Sequence, residues 1–307
     1  MRLSQLGEFG LIDLIARREP KLKSTLIGIG DDAAVLRMSN VKCQMSNYLL
    51  VTTDTFIENV HFKLKGTSFF ALGQKVMAAN ISDIAAMGGY PTHAVVTVGL
   101  PGKLSVEQVR QLYNGIDALA KKHKIDIVGG DTVASPKAVV ISITLLGEVE
   151  KSFLLTRSGA RAGDLILVTG DFGGPASIKF RIPHSALRIR LKEARNIGKS
   201  RRATSMIDSS DGLVRSVLEL CKASRTGARI YDDLVPIAKG ASLSQALYGG
   251  EEYELVFTAP KKNLPKLKKL AKLSVVGEIV PCKFGVMLVD SYGRIKPPKS
   301  GGYEHFK

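Results

Sequence analysis

Apolar and polar residues follow one another along the chain with two periods, which predict alternating helices and strands. In the first half, apolar side chains recur with the helical period in three segments, at residues 7–19, 68–88 and 106–123. Runs rich in β-branched residues predict strands at 47–56, 93–100, 125–128 and 138–149. Gly88 and Gly89 favour the end of a helix, and Ser105 with Gln108 matches a capping box at the start of another.

The second half continues in this style without an internal sequence repeat. Helices are predicted at 212–224 and 263–272. Strands are predicted at 164–170, 203–208, 228–233, 253–259, 273–280 and 284–291. The turn SGARAGD at 158–164 favours a boundary between the halves. We therefore expect two α/β domains, residues 1–150 and 151–307.

Composition places the chain among folded proteins that stay out of membranes. It has 307 residues, of which 45% are hydrophobic, enough to bury a sizeable core. No apolar run approaches the roughly 20 residues that span a bilayer. The cysteines, Cys43, Cys221 and Cys282, are far apart and odd in number, which does not indicate a disulfide framework. We expect a cytoplasmic protein with no membrane partner.

The net charge of +16 first suggests a nucleic-acid partner, but its distribution argues otherwise. Residues 179–202 hold nine basic side chains against Glu193, and residues 261–272 hold six with no acid. These two tracts carry all but two of the net positive charges. We therefore expect no nucleic-acid partner. A basic nucleic-acid-binding protein is kept as the alternative from another class, and a steep salt dependence of binding would identify it.

Several aspartates lie beside glycines or within an apolar segment, and they are the candidate functional residues. Gly28-Ile29-Gly30 resembles a dinucleotide fingerprint, but Asp31 and Asp32 follow at once, and carboxylates suit a pyrophosphate only if cations lie between them. Asp83 lies in an apolar helical segment with no basic residue from position 76 to 102, so its charge is costly unless it is compensated. Oxygen ligands favour magnesium, which commonly bridges phosphates. The pattern indicates a magnesium-dependent phosphate-handling enzyme or a purely structural set of carboxylates.

Seven motifs occur in an order that resembles the thiamine-monophosphate kinase family, in the superfamily of aminoimidazole ribonucleotide synthetase and selenophosphate synthetase. They are GIGDDAAVL (28–36), TTDTFIENVHF (52–62), NISDIAAMGGYP (80–91), IVGGDT (127–132), TRSGARAGD (156–164), MIDSSDGL (206–213) and LYGGEEYELVF (247–257). The resemblance covers nearly the whole chain. The chain departs from the family at Ser209, where relatives usually carry an aliphatic residue, and in the basic tract 179–202.

This resemblance implies a fold and an activity. The fold is α/β (α+β) with a two-domain subunit, in which the N-terminal mixed sheet forms a barrel with a second copy and the C-terminal half is an α/β sandwich. The N-terminal domain would bind ATP and magnesium and form the homodimer, and the C-terminal domain would complete the substrate site. The activity is ATP-dependent phosphorylation of thiamine monophosphate to thiamine diphosphate, with several magnesium ions.

The resemblance also assigns the site residues. Magnesium ligands would be Asp32, Thr52, Thr53, Asp54, Asp83, Asp131, Asp208 and Asp211. ATP contacts would be Tyr113, Gly130, Asp131, Arg157 and Ser210. Contacts to thiamine monophosphate would be His61, Glu251 and Tyr303. A phosphate acceptor is mostly a dianion at neutral pH, so we expect direct in-line transfer without a single catalytic base. Another ATP-dependent enzyme of the same superfamily is the nearest alternative.

Overall fold

Two mixed β-sheets, one from each half of the chain, carry the fold. The structure is a computed structural model and describes residues 2–16, 22–37, 47–177, 188–299 and 301–306. The first sheet is ordered β1-β2-β3-β6-β4-β5, and its neighbours are antiparallel except for the parallel pair β4–β5. Its strands are β1 (Thr25–Ile27), β2 (Ala34–Arg37), β3 (Asn47–Ile57), β4 (Tyr90–Leu100), β5 (Asp126–Ala134) and β6 (Val140–Glu150).

The second sheet is ordered β13-β12-β9-β11-β7-β10-β8, with a single parallel pair, β12–β9. Its strands are β7 (Asp164–Thr169), β8 (Ser205–Asp208), β9 (Thr226–Tyr231), β10 (Leu255–Pro260), β11 (Leu273–Pro281), β12 (Val286–Val289) and β13 (Ile295–Lys296). The α-helices are α1 (Leu3–Ala16), α2 (Phe69–Ala86), α3 (Val106–His123), α4 (Gly174–Ser177), α5 (Leu191–Ser200), α6 (Leu213–Ser224), α7 (Leu243–Tyr248) and α8 (Leu264–Leu267). Among the described helices, none is long and apolar enough to cross a bilayer.

Helices α2 and α3 pack on the first sheet and on each other. Helix α2 is apolar around most of its circumference because it lies between the sheet, α3 and the second half of the chain. Its contact with α3 is unusually close: a Cβ at Gly73 would meet the carbonyl of Leu112, and one at Gly115 would meet that of Phe70. The two glycines therefore let the helix backbones touch, and α2 is held in one position.

Three apolar clusters hold the molecule together. One lies between the first sheet and helices α2 and α3, and a second lies under α6 and α7 on the second sheet. A third joins Ala85 at the end of α2 to Ile197 of α5 and Leu267 of α8. An ion pair between Arg195 and Glu150, 2.7 Å long, also links the halves. The predicted α/β class with two sheets is confirmed, while the domain division at residue 150 stays a prediction.

The strongest local signals are confirmed. Ser68 accepts a hydrogen bond from the Ala71 amide at the start of α2, and Gly88 has a left-handed φ of 73° just after its end. Helix α3 begins with the predicted capping box of Ser105 and Gln108. The predicted strand at 125–128 extends instead to Ala134, since the glycine-rich IVGGDT segment continues to pair with β4.

The predicted helix over residues 263–272 is wrong. Helix α8 ends at Leu267, and a turn follows before β11 begins at Leu273. Lysines three and four positions apart repel each other on a helix, and no acid in this segment compensates them. Strands β1, β2 and β13 and helices α4, α5 and α7 were not predicted. Of the basic tract 179–202, residues 179–187 lie outside the described residues, and the remainder includes α5.

We expect Gly115→Ala to lower the free energy of unfolding by about 1–3 kcal/mol, because its Cβ would push against the backbone of α2. Alanine is the better helix former, so a destabilised variant means that the steric clash outweighs helix propensity. Urea unfolding measures the change. Gly102→Ala is the control, since its Cβ would meet no atom within 4 Å. Equal stability of the two variants would contradict the close α2–α3 contact.

Candidate active site

A cavity of about 980 Å³ lies between the two halves, with β3 and α2 on one side and α6 and residues 249–253 on the other. Twelve of the fifteen residues predicted for the site line this cavity. They are Asp32, Thr52, Thr53, Asp54, His61, Asp83, Arg157, Asp208, Ser210, Asp211, Glu251 and Tyr303. The fold therefore gathers side chains that are dispersed over most of the sequence.

Three carboxylates form the floor of the cavity. Asp32 precedes β2, Asp83 lies in the last turn of α2, and Asp208 is the last residue of β8. Each offers one carboxylate oxygen, and these oxygens lie within 4.8 Å of one another. This spacing allows all three to bind one cation, which a hard ion such as magnesium would suit.

Hydrogen bonds from neighbouring side chains orient the acidic groups. The Thr52 hydroxyl donates to Asp83 over 2.6 Å, and the Ser82 hydroxyl donates to Asp208 over 2.6 Å. The side-chain oxygen of Asn80 accepts the backbone N–H of Asp54 over 3.2 Å. Residues 80–83 of the NISD motif therefore link three elements: Asn80 holds the backbone of β3 at Asp54, Ser82 orients the carboxylate of Asp208 on β8, and Asp83 is itself oriented by Thr52.

Arg157 supplies positive charge to this floor. Its Nε and Nη2 atoms donate to Oδ1 of Asp32 over 3.1 and 2.5 Å. Its backbone N–H lies 3.2 Å from each carboxylate oxygen of Asp31. The other oxygen of Asp32, Oδ2, is buried and has no hydrogen-bond partner in the described part of the chain. That oxygen is free to accept a cation.

The floor holds protons more tightly than ordinary carboxylates do. Burial, followed by the charge of Asp32, raises the pKa of Asp208 to about 8. Burial, with the charges of Asp211 and Asp32, raises the pKa of Asp54 to about 6. Burial and the charges of Asp54 and Asp208 raise the pKa of Asp83 well above its usual value. The floor therefore attracts positive charge, whether protons or cations.

The three predicted substrate contacts meet at another part of the cavity. His61 and Tyr303 each lie beside the ring of His305, with ring centroids 5.1 Å apart in both pairs. Nδ1 of His61 accepts the backbone N–H of Ile57 over 3.0 Å, so the neutral ring carries its proton on Nε2. Burial lowers the pKa of His61, which favours that neutral form. Glu251 completes the group and is bound by Lys75 of α2.

Three predicted residues do not reach this cavity. Gly130 and Asp131 lie on β5, the exposed edge strand of the first sheet. Strands β6 and β4 separate β5 from β3, so Asp131 is about 14 Å from β3 along the sheet at ordinary strand spacing. Tyr113 instead lines an apolar groove of about 500 Å³ beside Leu104 and Val109.

Some site residues were not predicted. They are Asp31, Lys75, Asn80, Ser82 and His305. Asn80 and Ser82 carry a detectable signal, since they are polar residues beside Asp83 in an apolar helix. Lys75 carries the same signal, because it is the basic residue of that helix. For His305 the sequence offers one signal, its position two residues after Tyr303. Its packing on His61 could not be predicted from the sequence, because the two residues are far apart in the chain.

Comparison with known families matches both halves of the chain. Residues 30–149 match the N-terminal domain of AIR synthase related proteins, and residues 161–289 match their C-terminal domain. Thiamine-monophosphate kinase of Bacillus subtilis is 32% identical over 98% of this chain and 100% of its own length. The enzyme of the same name from Aquifex aeolicus is 33% identical over 91% of this chain and 94% of its own.

Solved structures give the same result. The structure of AaThiL complexed with AMPPCP and TMP is 32% identical, with a TM-score of 0.83 over 99% of both chains. Thiamine monophosphate kinase from Aquifex aeolicus is 30% identical, with a TM-score of 0.77 over 97% of this chain and all of that one. A HypE–HypF complex contains a chain that is 17% identical with a TM-score of 0.74 over 94% of this chain and 99% of that one, which shows a shared fold alone.

We expect the stability of the cation-free protein to fall as the pH rises from about 4 to about 8. A carboxyl in the unfolded chain titrates near pH 4, whereas Asp208 in the folded protein titrates at about 8. Between these values the folded state binds more protons, so raising the pH favours unfolding. Thermal unfolding in a chelator at several pH values measures the slope.

Asp208→Asn should make that slope less steep, because this group no longer titrates, while Asp54 and Asp83 still contribute to it. Asp126→Asn, which removes an exposed carboxylate on β5, should leave it unchanged. A slope that Asp208→Asn does not alter would contradict a proton held at this position.

Proposed function

The chain belongs to the thiamine-monophosphate kinases of the AIR synthase related family, and from this membership we propose that it phosphorylates thiamine monophosphate with ATP. The product is thiamine diphosphate. The observation that carries the proposal is the convergence of Asp32, Asp83 and Asp208, drawn from both halves, on the floor of one cavity. The AaThiL structure with AMPPCP and TMP supports this choice of substrates.

Magnesium fits the donor set at the cavity floor. Three carboxylate oxygens lie within 4.8 Å of one another, and the buried Oδ2 of Asp32 has no partner among the described residues. These hard oxygen donors match the preference of magnesium. When bound, the ions would neutralise phosphate charge and align the reacting groups. The proposed ligands are Asp32, Thr52, Thr53, Asp54, Asp83, Asp208 and Asp211, with Asp131 considered below.

The protein's own side chains bind and orient the substrates. Arg157 stands beside the floor with a guanidinium that can bind a phosphate oxygen. Ser210 lines the same cavity next to Asp211 and would contact ATP. The Nε2–H of neutral His61 is a hydrogen-bond donor for thiamine monophosphate, and Glu251 and Tyr303 are its proposed neighbours.

The chemistry needs no general base. The accepting phosphate has a second pKa near 6 and is mostly a dianion at neutral pH, so no proton must leave it. Positioning and charge neutralisation therefore account for the rate. The proposal is direct transfer between the two substrates, without a phosphorylated side chain as an intermediate.

A homodimer is part of the proposal, because β5 is the outermost strand of the first sheet and none of the described strands pairs with its outer edge. Val128 and Val133 on this strand are 59% and 49% exposed, which is unusual for valines in a sheet. Pairing with a second copy would cover this edge and close the two first sheets into a barrel. The same arrangement would bring Asp131 of the partner subunit toward the cavity floor, whereas strands β6 and β4 keep Asp131 away from β3 in its own subunit.

Tyr113 and Gly130 fit the same arrangement. The groove beside Tyr113 is lined by Leu100, Leu104 and Val109 and would suit the adenine ring of ATP. A side chain at Gly130 would clash with the carbonyl of Val96, so glycine keeps β5 close to β4. The groove and Asp131 would then serve the cavity of the other subunit.

Another ATP-dependent enzyme of the superfamily is the second candidate, since HypE proteins share the fold at 16–19% identity. The identity of 32% to thiamine-monophosphate kinase over nearly the whole chain favours the first proposal. A location in the cytoplasm, where ATP is abundant, belongs to the same proposal.

A coupled assay of ADP and thiamine diphosphate tests the function. The wild-type protein should form both in equal amounts with magnesium and neither without it. Asp54→Asn should lower kcat at least about a hundredfold at saturating magnesium, which corresponds to losing several kcal/mol of charge stabilisation. Asp233→Asn, which removes an exposed carboxylate outside the cavity and the groove, is the control. Wild-type turnover by Asp54→Asn would remove Asp54 from the site, and no thiamine diphosphate from the wild type would refute the function.

Mixed dimers test the role of Asp131. The variants Asp54→Asn and Asp131→Asn should each be inactive. In a hybrid dimer, the cavity of the Asp131→Asn subunit keeps its own Asp54 and receives an intact Asp131 from the other subunit, if Asp131 acts on the partner's cavity. Random exchange of equal amounts should then restore about a quarter of wild-type activity, because half the dimers are hybrids with one intact cavity. No recovery after verified exchange would place Asp131 elsewhere.

A further inference from the structure

A buried lysine crosses between the halves at the substrate end of the cavity. Nζ of Lys75, on α2, lies 2.5 Å from Oε1 of Glu251, and the two side chains are 6% and 42% exposed. Within the described chain, Glu251 is the carboxylate that lies within 4.0 Å of this ammonium. The ammonium also lies 3.5 Å from the carbonyl of His61 and 5.7 Å from the ring centroid of Phe56. A lysine in these surroundings needs its carboxylate partner, because an unpaired buried charge is costly.

The backbone around Glu251 is strained. Glu251 and Tyr253 have φ values of 63° and 52°, a left-handed conformation that side chains other than glycine rarely adopt. Hydrogen bonds hold the segment in place: the Glu251 amide donates to the carbonyl of Ser210 over 2.6 Å, and the Tyr253 amide donates to that of Ser209 over 2.9 Å. Strain of this kind persists only where surrounding contacts enforce it, and such places cluster at functional sites.

Lys75 also belongs to the helix that orients the acidic floor. Asn80, Ser82 and Asp83 follow it on α2, and eight residues of helix separate Lys75 from Asp83 by about 12 Å. Because α2 is held rigidly against α3, this separation is constant. The ion pair therefore fixes Glu251 at a set distance from the carboxylates that would bind the phosphate groups.

We propose that Lys75 is a positioning residue that holds the carboxylate of Glu251 toward thiamine monophosphate and ties the two halves together at that end of the cavity. The inference rests on the proposed function, in which Glu251 contacts this substrate. Lys75 itself does not line the cavity and acts through Glu251. Its loss should affect the binding of thiamine monophosphate and leave ATP binding and the chemical step largely intact.

The test compares Lys75→Met, Lys75→Arg, Glu251→Gln and the double variant Lys75→Met with Glu251→Gln. Lys75→Met should raise the KM for thiamine monophosphate at least about tenfold, because Glu251 loses the partner that holds its carboxylate in place. Both kcat and the KM for ATP should stay within about twofold of wild type. Lys75→Arg should recover most of the loss, and the double variant should be no worse than Glu251→Gln alone.

Glu150→Gln provides the matched control. This substitution breaks the ion pair of Arg195 and Glu150, which also joins the halves. Their side chains are 15% and 31% exposed, and neither residue lines the cavity. It should leave the KM for thiamine monophosphate unchanged. Thermal unfolding of every variant separates loss of folding from loss of positioning, and Lys75→Gln replaces Lys75→Met if the latter does not fold.

The outcomes are distinct. A wild-type protein without thiamine diphosphate formation refutes the proposed function itself. If the wild type is active, an unchanged KM in Lys75→Met, additive effects in the double variant, or an equal rise in the Glu150→Gln control overturns the role of Lys75. A selective rise that Lys75→Arg reverses supports it.

Discussion

The structure depends on one electrostatic constraint: several carboxylates must stand together where the two halves of the chain meet. Each is costly to bury while charged, and each raises the cost for the others. The surroundings reduce this cost in three ways. Arg157 contributes a guanidinium, Thr52 and Ser82 contribute hydroxyl donors, and burial raises the pKa of Asp208 to about 8, which favours its protonated form at neutral pH. The cavity thus favours any ligand that brings positive charge, which is how a protein with a net charge of +16 can hold an acidic site.

The rest of the fold serves to hold these groups in place. The glycine contact between α2 and α3 holds the helix that carries Asn80, Ser82 and Asp83. The backbone bonds between residues 209–210 and 251–253 join the end of β8 to the segment that precedes β10. The Arg195–Glu150 pair and the cluster around Ala85 then keep the halves together at a distance from the chemistry. Rigid elements therefore surround a site that is itself electrostatically unfavourable.

The sequence predicted those parts of the molecule that local patterns determine. Helix α3 has a strong apolar–polar periodicity and a capping box, and α2 is a long apolar segment that glycines end, so both helices were predicted. The motif residues carry unusual combinations of Asp with Gly, Ser and Thr, so they were predicted as well. The prediction of a helix over residues 263–272 extended too far, because the spacing of apolar residues takes no account of the repulsion between lysines. Lys75 and His305 were missed because their roles depend on partners, Glu251 and His61, that lie far away in the sequence. Gly130 and Asp131 match the family's motif, yet one chain alone leaves them on an exposed edge.

The position of β8 in its sheet has a consequence for the order of folding. Among the described strands, β8 lies at the edge of the sheet and has β10 as its one partner, whose residues follow it by about fifty positions. Closing such a loop is slow compared with forming local contacts. We therefore expect Asp208 to join Asp32 and Asp83 late in folding, when β10 pairs with β8. Ile207 of β8 and Val256 of β10 also belong to the apolar core under α6 and α7. That core and the complete set of carboxylates therefore form together, so the burial of apolar side chains offsets the repulsion between the acidic groups.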